Sequence, residues 1–392
     1  MFGGGNIGRS FIGQLFSKAG YEVVFIDIDK NLINALNKER RYGVVVKRNS
    51  EQDKRIEVHN VRGVDGSDTD AVSSEIVDAT IIATAVGKGA IPYISPVISQ
   101  GIEKRMQSGG GGIDIIIAEN VRNAARWYKD LLTQNLPYIE ALDALIGCVE
   151  TSIGKMVPIM TLEDKETDPL QVFAEEYNTL IVDKQGFRNG IPLVDGIKPV
   201  NNVHAYVDRK LFIHNLGHAA AAYLGFRQNP TLLYIYEHME VPATKTAVQA
   251  CMIQSAAALN REYPEDLSMV ELEEHIEDLL YRFGNRELKD TVHRVGRDLQ
   301  RKLGKDDRLI GSMLLAAKHN LPFNNILSAA AAAFDFKAPD ETGTIFPGDI
   351  EFFESILPKG YEEVARKVCN LDPAIESEER VKQALLKNLT RA

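Results

Sequence analysis

Cysteine is scarce in this chain: three among 392 residues, Cys148, Cys251 and Cys369, widely separated and none in a C-x-x-C pair. That count excludes a disulfide framework and fits a reducing compartment. No apolar run approaches the roughly 18–20 residues that a membrane-spanning helix requires. The longest candidates, residues 79–86 and 113–118, are short and β-branched, as buried strands are. No charged-then-apolar leader opens the sequence, so a cytoplasmic location is expected. An excess of positive charge is missing too. With 45 Lys and Arg against 55 Asp and Glu, the net charge is −10, which excludes nucleic-acid and anionic-membrane binding as primary roles. What is present, 44% hydrophobic and 26% charged residues, is ordinary globular composition on a chain long enough for two domains.

The first 120 residues or so alternate strand-like runs (21–28, 79–85, 113–118) with helical patterns (7–19, 30–37). This is the texture of βαβ units around a sheet buried on both faces. From about Val200 the pattern changes to successive helices, expected at 205–224, 244–261, 269–283, 290–303 and 309–319 and punctuated by Pro230, Pro242, Pro264, Gly284 and Pro322. The expected architecture is α/β, a Rossmann-type doubly wound parallel sheet over 1–195 followed by an all-helical domain over 196–392. A strand at 179–183 is assigned to the first domain. The alanine run 328–334 reads as a closely packed core helix.

Gly3-Gly4-Gly5-Asn6-Ile7-Gly8 satisfies G-x-G-x-x-G, and a strand ends at Asp27, 19 residues past Gly8. A helical pattern opens at once. That context marks a dinucleotide site. Gly3 permits the turn, Gly5 lets the backbone approach a diphosphate, and Gly8 lets the helix pack on the sheet. Amide groups of Asn6 and Ile7 then face the phosphates at the positive end of the helix. Asp27 would accept ribose hydroxyls and repel a 2′-phosphate, favouring NAD over NADP, although Lys30 and Arg9 nearby weaken that preference. Only Met1 and Phe2 precede the glycines, whereas a strand of about five or six residues is expected there. A natural start several residues upstream is the expectation.

Further on, Lys210, His214, Asn215 and His218 fall within about 140° of one another on a helical wheel. A lysine, an amide and a histidine converging on one spot suit a base, an oxyanion donor and an orienting group. Spacing alone leaves open a solvated lysine and a buried, satisfied histidine.

These residues, with Thr84-Ala85-Val86-Gly87, Ala118-Glu119-Asn120, residues 181–184, Asp208-Arg209-Lys210-Leu211-Phe212, Arg282-Phe283, Leu288-Lys289-Asp290 and Arg294-Val295-Gly296-Arg297, resemble the polyol-specific long-chain dehydrogenases, the mannitol dehydrogenase family. The resemblance runs from Gly3 to roughly Ala332. It implies metal-independent hydride transfer between NAD and a secondary alcohol, with Thr84, Ala85 and Val86 at the cofactor and Lys210 as general acid and base. Asn215 and Asn120 would hold the reacting oxygen, and His218 would position the substrate.

The phosphate-using branch matches best, implying oxidation of D-mannitol 1-phosphate to D-fructose 6-phosphate by a monomer or homodimer. The basic stretch of Arg294, Arg297, Arg301 and Arg308 then becomes a candidate phosphate site, the first three on one helix face at i, i+3 and i+7. Spacing alone favours a solvated face balanced by Asp298, Asp306 and Asp307. One departure bears on substrate: the family's Asp-Arg pair is Gly154-Lys155 here, with Glu150 and Thr151 nearby to compensate. A reductase of free ketoses or keto-uronates is the alternative within the enzyme class, and a non-catalytic NAD(H)-binding protein lies outside it.

Overall fold

The β-branched runs form the strands of an α/β unit in a computed structural model that describes residues 1–49, 51–119, 121–136 and 144–390. The chain divides into two compact units, Met1–Val207 and Asp208–Ala392. In the first, β1 (Val23–Asp27), β2 (Arg41–Val46), β3 (Lys54–His59), β4 (Val61–Asp65), β5 (Ile82–Thr84), β6 (Ile113–Ile117), β7 (Ile146–Ile153), β8 (Val172–Ala174), β9 (Leu180–Asp183) and β10 (Ile197–Val200) alternate with helices. β1 pairs with β4, and β5, β6 and β7 follow one another, all in parallel. β9 then joins β7 antiparallel and carries β10 at the edge. The sheet is therefore mixed at that end and not wholly parallel.

The residues ahead of the glycine turn lie between β1 and β5. Phe2 bridges both Ile26 and Thr84. Its N–H donates to Ala83 O (2.8 Å) and its carbonyl accepts from Ala85 N–H (2.8 Å), while Ile26 N–H donates to Met1 O (2.8 Å). Beside Met1 lies a partly open cavity of about 260 Å³, lined by apolar groups that include Val24, Ile76 and Ile82 and by the charged Glu22, Arg62, Glu75 and Asp78.

Side chains alternate across the sheet into two cores. Phe25 and Ile116 face one, with Phe11, Ile12 and Leu15 of the helix after the glycines. Ile26, Ile113, Ile115 and Ile117 face the other, with Ile98 of the helix Ile91–Gln107 and Tyr128 of the helix Ala124–Asn135. Helices on both faces make the sheet doubly wound. A second sheet, ordered β3-β2-β8, adds Val44, Val58 and Val172 to the first core. Local pattern signals these strands weakly: charged residues interrupt β3, Lys-Arg-Ile-Glu-Val-His, and β8 is only three residues long.

The second unit is helical. Pro242 falls where the sequence places it, opening Pro242–Glu262, and Ser268 with Glu271 forms a capping box on Met269–Phe283. Small residues permit close helix approach. Ala329–Ala333 are buried, and a side chain at Gly217 would collide with Met252. The helix expected over 290–303 is a correction. It breaks into Val292–Gly296 and Leu299–Lys302, with Asp298 in the left-handed region at φ 73°. The buried Asp349 carboxylate holds the break open by accepting the N–H groups of Asp298 (3.1 Å) and Leu299 (2.7 Å). Among the described residues no helix is long and apolar enough to cross a membrane.

One buried carboxylate pins β6 to the loop after β9. Asp114 on β6 is 2% exposed and accepts from Arg188 N–H (2.9 Å), Asn189 N–H (3.1 Å) and Asn189 Nδ2 (3.0 Å). Asp114→Ala is expected to cost about 2–3 kcal/mol of stability in urea denaturation; a loss under about 0.5 kcal/mol would show that water replaces these bonds freely.

Candidate active site

In the first unit the expected cofactor residues gather at the carboxyl ends of the strands, where open α/β sheets bind ligands. Gly3 has φ 93°, and any side chain there would collide with the carbonyl of Ala85. Gly8 is equally confined, against the carbonyl of Gly3. Gly5 differs: nothing lies within 4 Å of the position its side chain would take. That open face is the approach a diphosphate requires. The first helical bond runs from Arg9 N–H to Gly5 O (3.0 Å), so the N–H groups of Asn6, Ile7 and Gly8 precede it and have no partner within the helix. A π-turn, Gly8–Gly13, follows immediately.

Asp27 ends β1 beside this turn. Its Oδ2 accepts from Gly4 N–H (2.7 Å) and its Oδ1 from Asp29 N–H (3.0 Å). The carboxylate is thereby oriented by backbone. Ile28, 80% exposed, follows it as a bare apolar surface. Neither nearby cation is positioned to welcome a 2′-phosphate. Lys30 pairs with Asp65 (3.1 Å), and the buried Arg9 donates to Gly4 O and Leu170 O (2.6 Å each). The weakening of NAD preference expected from Lys30 and Arg9 does not fit these partners.

Thr84, Ala85 and Val86 close the other side of the turn. Thr84 is fully buried, and Ala85 backs on Gly3. The Glu119 carboxylate, 6% exposed, accepts the N–H groups of Val86 and Gly87 at 2.9 Å each. Burial pushes that carboxyl up, against the opposing pull of those two donors and the Thr84 hydroxyl. Sequence reasoning quoted Glu119 only as part of a motif. Asn120 lies outside the described residues.

The second unit holds the lysine. Residues Lys210–Asn215 form a π-turn that runs into the helix Leu216–Gln228. The 100° wheel therefore does not hold across 210–215, because i→i+5 bonding widens the turn; such π-turns are frequent at functional sites. Burial, with the Arg308 guanidinium nearby, lowers the Lys210 amine from 10.5 to about 8. Arg308 donates to Asp307 (2.7 Å) and lies 3.5 Å from the carbonyl of Asn215. His218 stacks flat on Phe283, with ring centroids 4.8 Å apart and planes 6° apart. Its Nε2 lies 3.3 Å from Asp290. Burial and the cations Arg294, Arg308, Lys302 and Arg282 lower the imidazole to about 3, so the ring is neutral, with Nε2–H towards Asp290. His214 is buried beside it, its ring edge on Phe283, and burial holds it neutral as well.

The four arginines do not share a helix face, because the break at Asp298 separates Arg294 from Arg301. Arg301 is neutralised twice, by Asp298 and by Asp307 (2.9 Å). Arg297 lies over the Phe346 ring at 5.6 Å. Arg294 pairs with Asp290, and with Arg308 it faces His218. Lys302, in the same basic stretch, is 4% exposed and donates to the carbonyls of Val295 and Arg297; burial, then Arg308 and Arg301, lower it to about 7. No local spacing links Asp290 or Lys302 to His218, which precedes them by 72 and 84 residues.

The Gly154–Lys155 departure has a structural account. Lys155 is buried and donates to the carbonyls of Glu175 (3.2 Å) and Tyr177 (2.8 Å) and to Asn178 Oδ1 (2.9 Å). It brackets a loop. A side chain at Gly154 would meet the Tyr177 ring at 3.4 Å. Glu150 and Thr151 are engaged within the unit: Glu150 accepts from Ala125 N–H (3.5 Å), and Thr151 donates to Ile117 O (2.8 Å).

A doubly wound sheet with a glycine turn open at Gly5, followed by a helical unit, is the fold of a Rossmann-type dehydrogenase. Two family models extend the class to a family: the mannitol dehydrogenase Rossmann domain matches residues 1–196, and the mannitol dehydrogenase C-terminal domain matches 202–388. The chain belongs to the mannitol dehydrogenase family, and it is an NAD-dependent oxidoreductase acting on CH–OH groups. It is 32% identical to a mannitol-1-phosphate 5-dehydrogenase of Buchnera aphidicola subsp. Acyrthosiphon pisum (strain APS), over 94% of this chain and 93% of the relative. It is 31% identical to one of Bacillus subtilis (strain 168), over 100% and 99%. Its fold is similar to a substrate-free D-sorbitol dehydrogenase (TM-score 0.79, 14% identity, 99% of this chain and 91% of that one). It is similar also to a Pseudomonas fluorescens mannitol 2-dehydrogenase solved with NAD and D-mannitol (TM-score 0.73, 13% identity, 99% and 90%).

Because Arg308 repels the protonated amine, Arg308→Ala removes one of the two causes that depress Lys210. The Lys210 pKa, read from an NMR pH titration of the labelled amine, is expected to rise above its value near 8. An unchanged or lower pKa would leave burial as the sole cause.

Proposed function

We propose that this enzyme interconverts a polyol phosphate and a ketose phosphate, D-mannitol 1-phosphate and D-fructose 6-phosphate in the best-supported case. The observation that carries the reading is the set of cations near His218, Arg294, Arg308, Lys302 and Arg282, which stands together with the Asp290 and Asp307 carboxylates. Arg308 and Arg282 are largely buried and Arg294 is half exposed, each beside a carboxylate, and such a set of guanidinium groups suits a phosphorylated substrate better than a neutral sugar. The names of the relatives at 31–32% identity point the same way.

NAD, when bound, supplies the hydride acceptor; Gly3, Gly5, Asn6, Ile7, Gly8, Asp27, Thr84, Ala85 and Val86 are the residues proposed to hold it. The open space at Gly5, the unpartnered helix amides and the backbone-oriented Asp27 carboxylate fit such a ligand. Lys210 takes the hydroxyl proton in oxidation and returns it to the ketone oxygen in reduction. A pKa near 8 makes both states accessible close to neutrality. The side chains of Asn215 and Asn120 are proposed to donate to the reacting oxygen as negative charge develops on it. His218 orients the substrate, held flat by Phe283 and in one tautomer by Asp290. Arg294 and Arg308, each with a single carboxylate partner, are the proposed phosphate partners. Arg301 and Arg297 are weaker candidates because Asp298, Asp307 and Phe346 engage them.

Oxidation requires the neutral amine and reduction the protonated one. Alcohol-oxidation kcat/KM is therefore expected to rise with pH through about 8, and ketose-reduction kcat/KM to fall through it. Lys210→Ala should lower turnover by ~10²–10⁴-fold with NADH binding retained; unchanged turnover would remove Lys210 from the proton transfer. NADH oxidation measured in parallel with fructose 6-phosphate, fructose and fructuronate tests the substrate. Activity with fructose 6-phosphate alone is expected, whereas activity with an unphosphorylated ketose would favour the alternative reading and make the cation cluster structural.

A further inference from the structure

The contact between Glu119 and the segment after β5 has a consequence beyond packing. Two consecutive N–H groups, Val86 and Gly87, converge on the two oxygens of one carboxylate at 2.9 Å each. Gly87 takes φ 84°, a conformation open to glycine, with nothing within 4 Å of where a side chain would stand. Successive amides turned in this way form a concavity that binds anions. Here the protein fills that concavity with its own carboxylate. The same segment forms a wall of the glycine turn: Ala85 N–H donates to Phe2 O (2.8 Å), and the Ala85 carbonyl stands where a Gly3 side chain would be. A clamp on Val86 and Gly87 therefore fixes Ala85 against Gly3. It also withdraws a competing pair of anion-binding amides, leaving those of Asn6, Ile7 and Gly8 as the open phosphate donors in the turn.

We propose that Glu119 is a positioning residue for the cofactor, a carboxylate that holds Val86 and Gly87 so that the wall from Thr84 to Gly87 and the turn at Gly3 form one preorganised cradle. This rests on the reading that NAD binds along Gly3–Gly8 and Thr84–Val86. Glu119 touches neither cofactor nor substrate in this role; it acts through the backbone of its two partners. Glutamine at this position keeps one acceptor oxygen but turns an NH2 group towards the second amide, so a partial defect follows from its chemistry.

The test is NADH binding by fluorescence titration, with steady-state kinetics on fructose 6-phosphate, for the full-length wild type, Glu119→Ala and Glu119→Gln. Misplacement of the wall is expected to raise the NADH Kd roughly 10- to 100-fold in Glu119→Ala. Glu119→Gln should fall between it and the wild type. KM for NADH should rise in step while KM for fructose 6-phosphate stays within about twofold, a split that general loosening of the fold would not produce. A folded Glu119→Ala protein with wild-type NADH affinity overturns the proposal, as do equal losses for both ligands. If Glu119→Ala does not fold, Glu119→Gln decides, and wild-type affinity there overturns it. Absence of NADH binding by the wild type would overturn the cofactor reading itself.

Discussion

Burying positive charge is costly, and the second unit buries several cations around one neutral histidine. An isolated ammonium taken out of water either finds compensation or gives up its proton. Lys210 and Lys302 are drawn towards the second course, to about 8 and about 7. For Lys210 the shift from 10.5 corresponds to roughly 3 kcal/mol of penalty on the charged form. The sign matters. That penalty is present in full below pH 8 and disappears as pH rises towards 10.5, so the fold is less favourable in the range where the lysine is useful. Burial that would be a defect elsewhere makes this amine a proton carrier near neutrality.

The surrounding architecture sustains that arrangement. Arg308 is held by Asp307 and Arg294 by Asp290, so each guanidinium stays near the lysine or the histidine without being uncompensated. Asp290 lies against both Arg294 and His218, which ties the orientation of the imidazole to the position of an arginine. The helix break at Asp298 serves the same end. With the helix interrupted, the carbonyls of Val295 and Arg297 turn to Lys302, and Asp349 satisfies the amides on the other side. A continuous helix would bond those carbonyls internally and leave the buried lysine without acceptors.

The first unit solves the opposite problem, how to leave donors open for an anion. Helix amides at Asn6, Ile7 and Gly8 stay unused within the helix, Asp27 is oriented by Gly4 and Asp29, and Glu119 takes up the other exposed pair. The cations that would blur cofactor preference are committed elsewhere: Lys30 to Asp65, Arg9 to two carbonyls. Glycines act here by what they exclude. At Gly3 and Gly8 a methyl group would strike backbone, and at Gly5 it would intrude on open space.

Local patterns in the sequence determined the elements that depend on neighbours in the chain. The glycine turn, the strand ending at Asp27, the paired-face burial of β6 and the succession of helices after Val200 all follow from spacing, β-branching and caps, which act over a few residues. The lysine helix was legible as a motif, though its π-turn was not, because periodicity assumes the 3.6-residue turn. The tertiary structure alone decided which charges count. Arg301 and Arg308 look alike in sequence, yet Arg301 is half exposed and held by two carboxylates, whereas Arg308 is largely buried, shares only Asp307 and lies within reach of the Asn215 carbonyl. Lys302, Asp290 and Glu119 likewise owe their chemistry to partners or burial that spacing does not encode. Electrostatic energy depends on distance and dielectric, and both are set by the packing of segments remote in the chain.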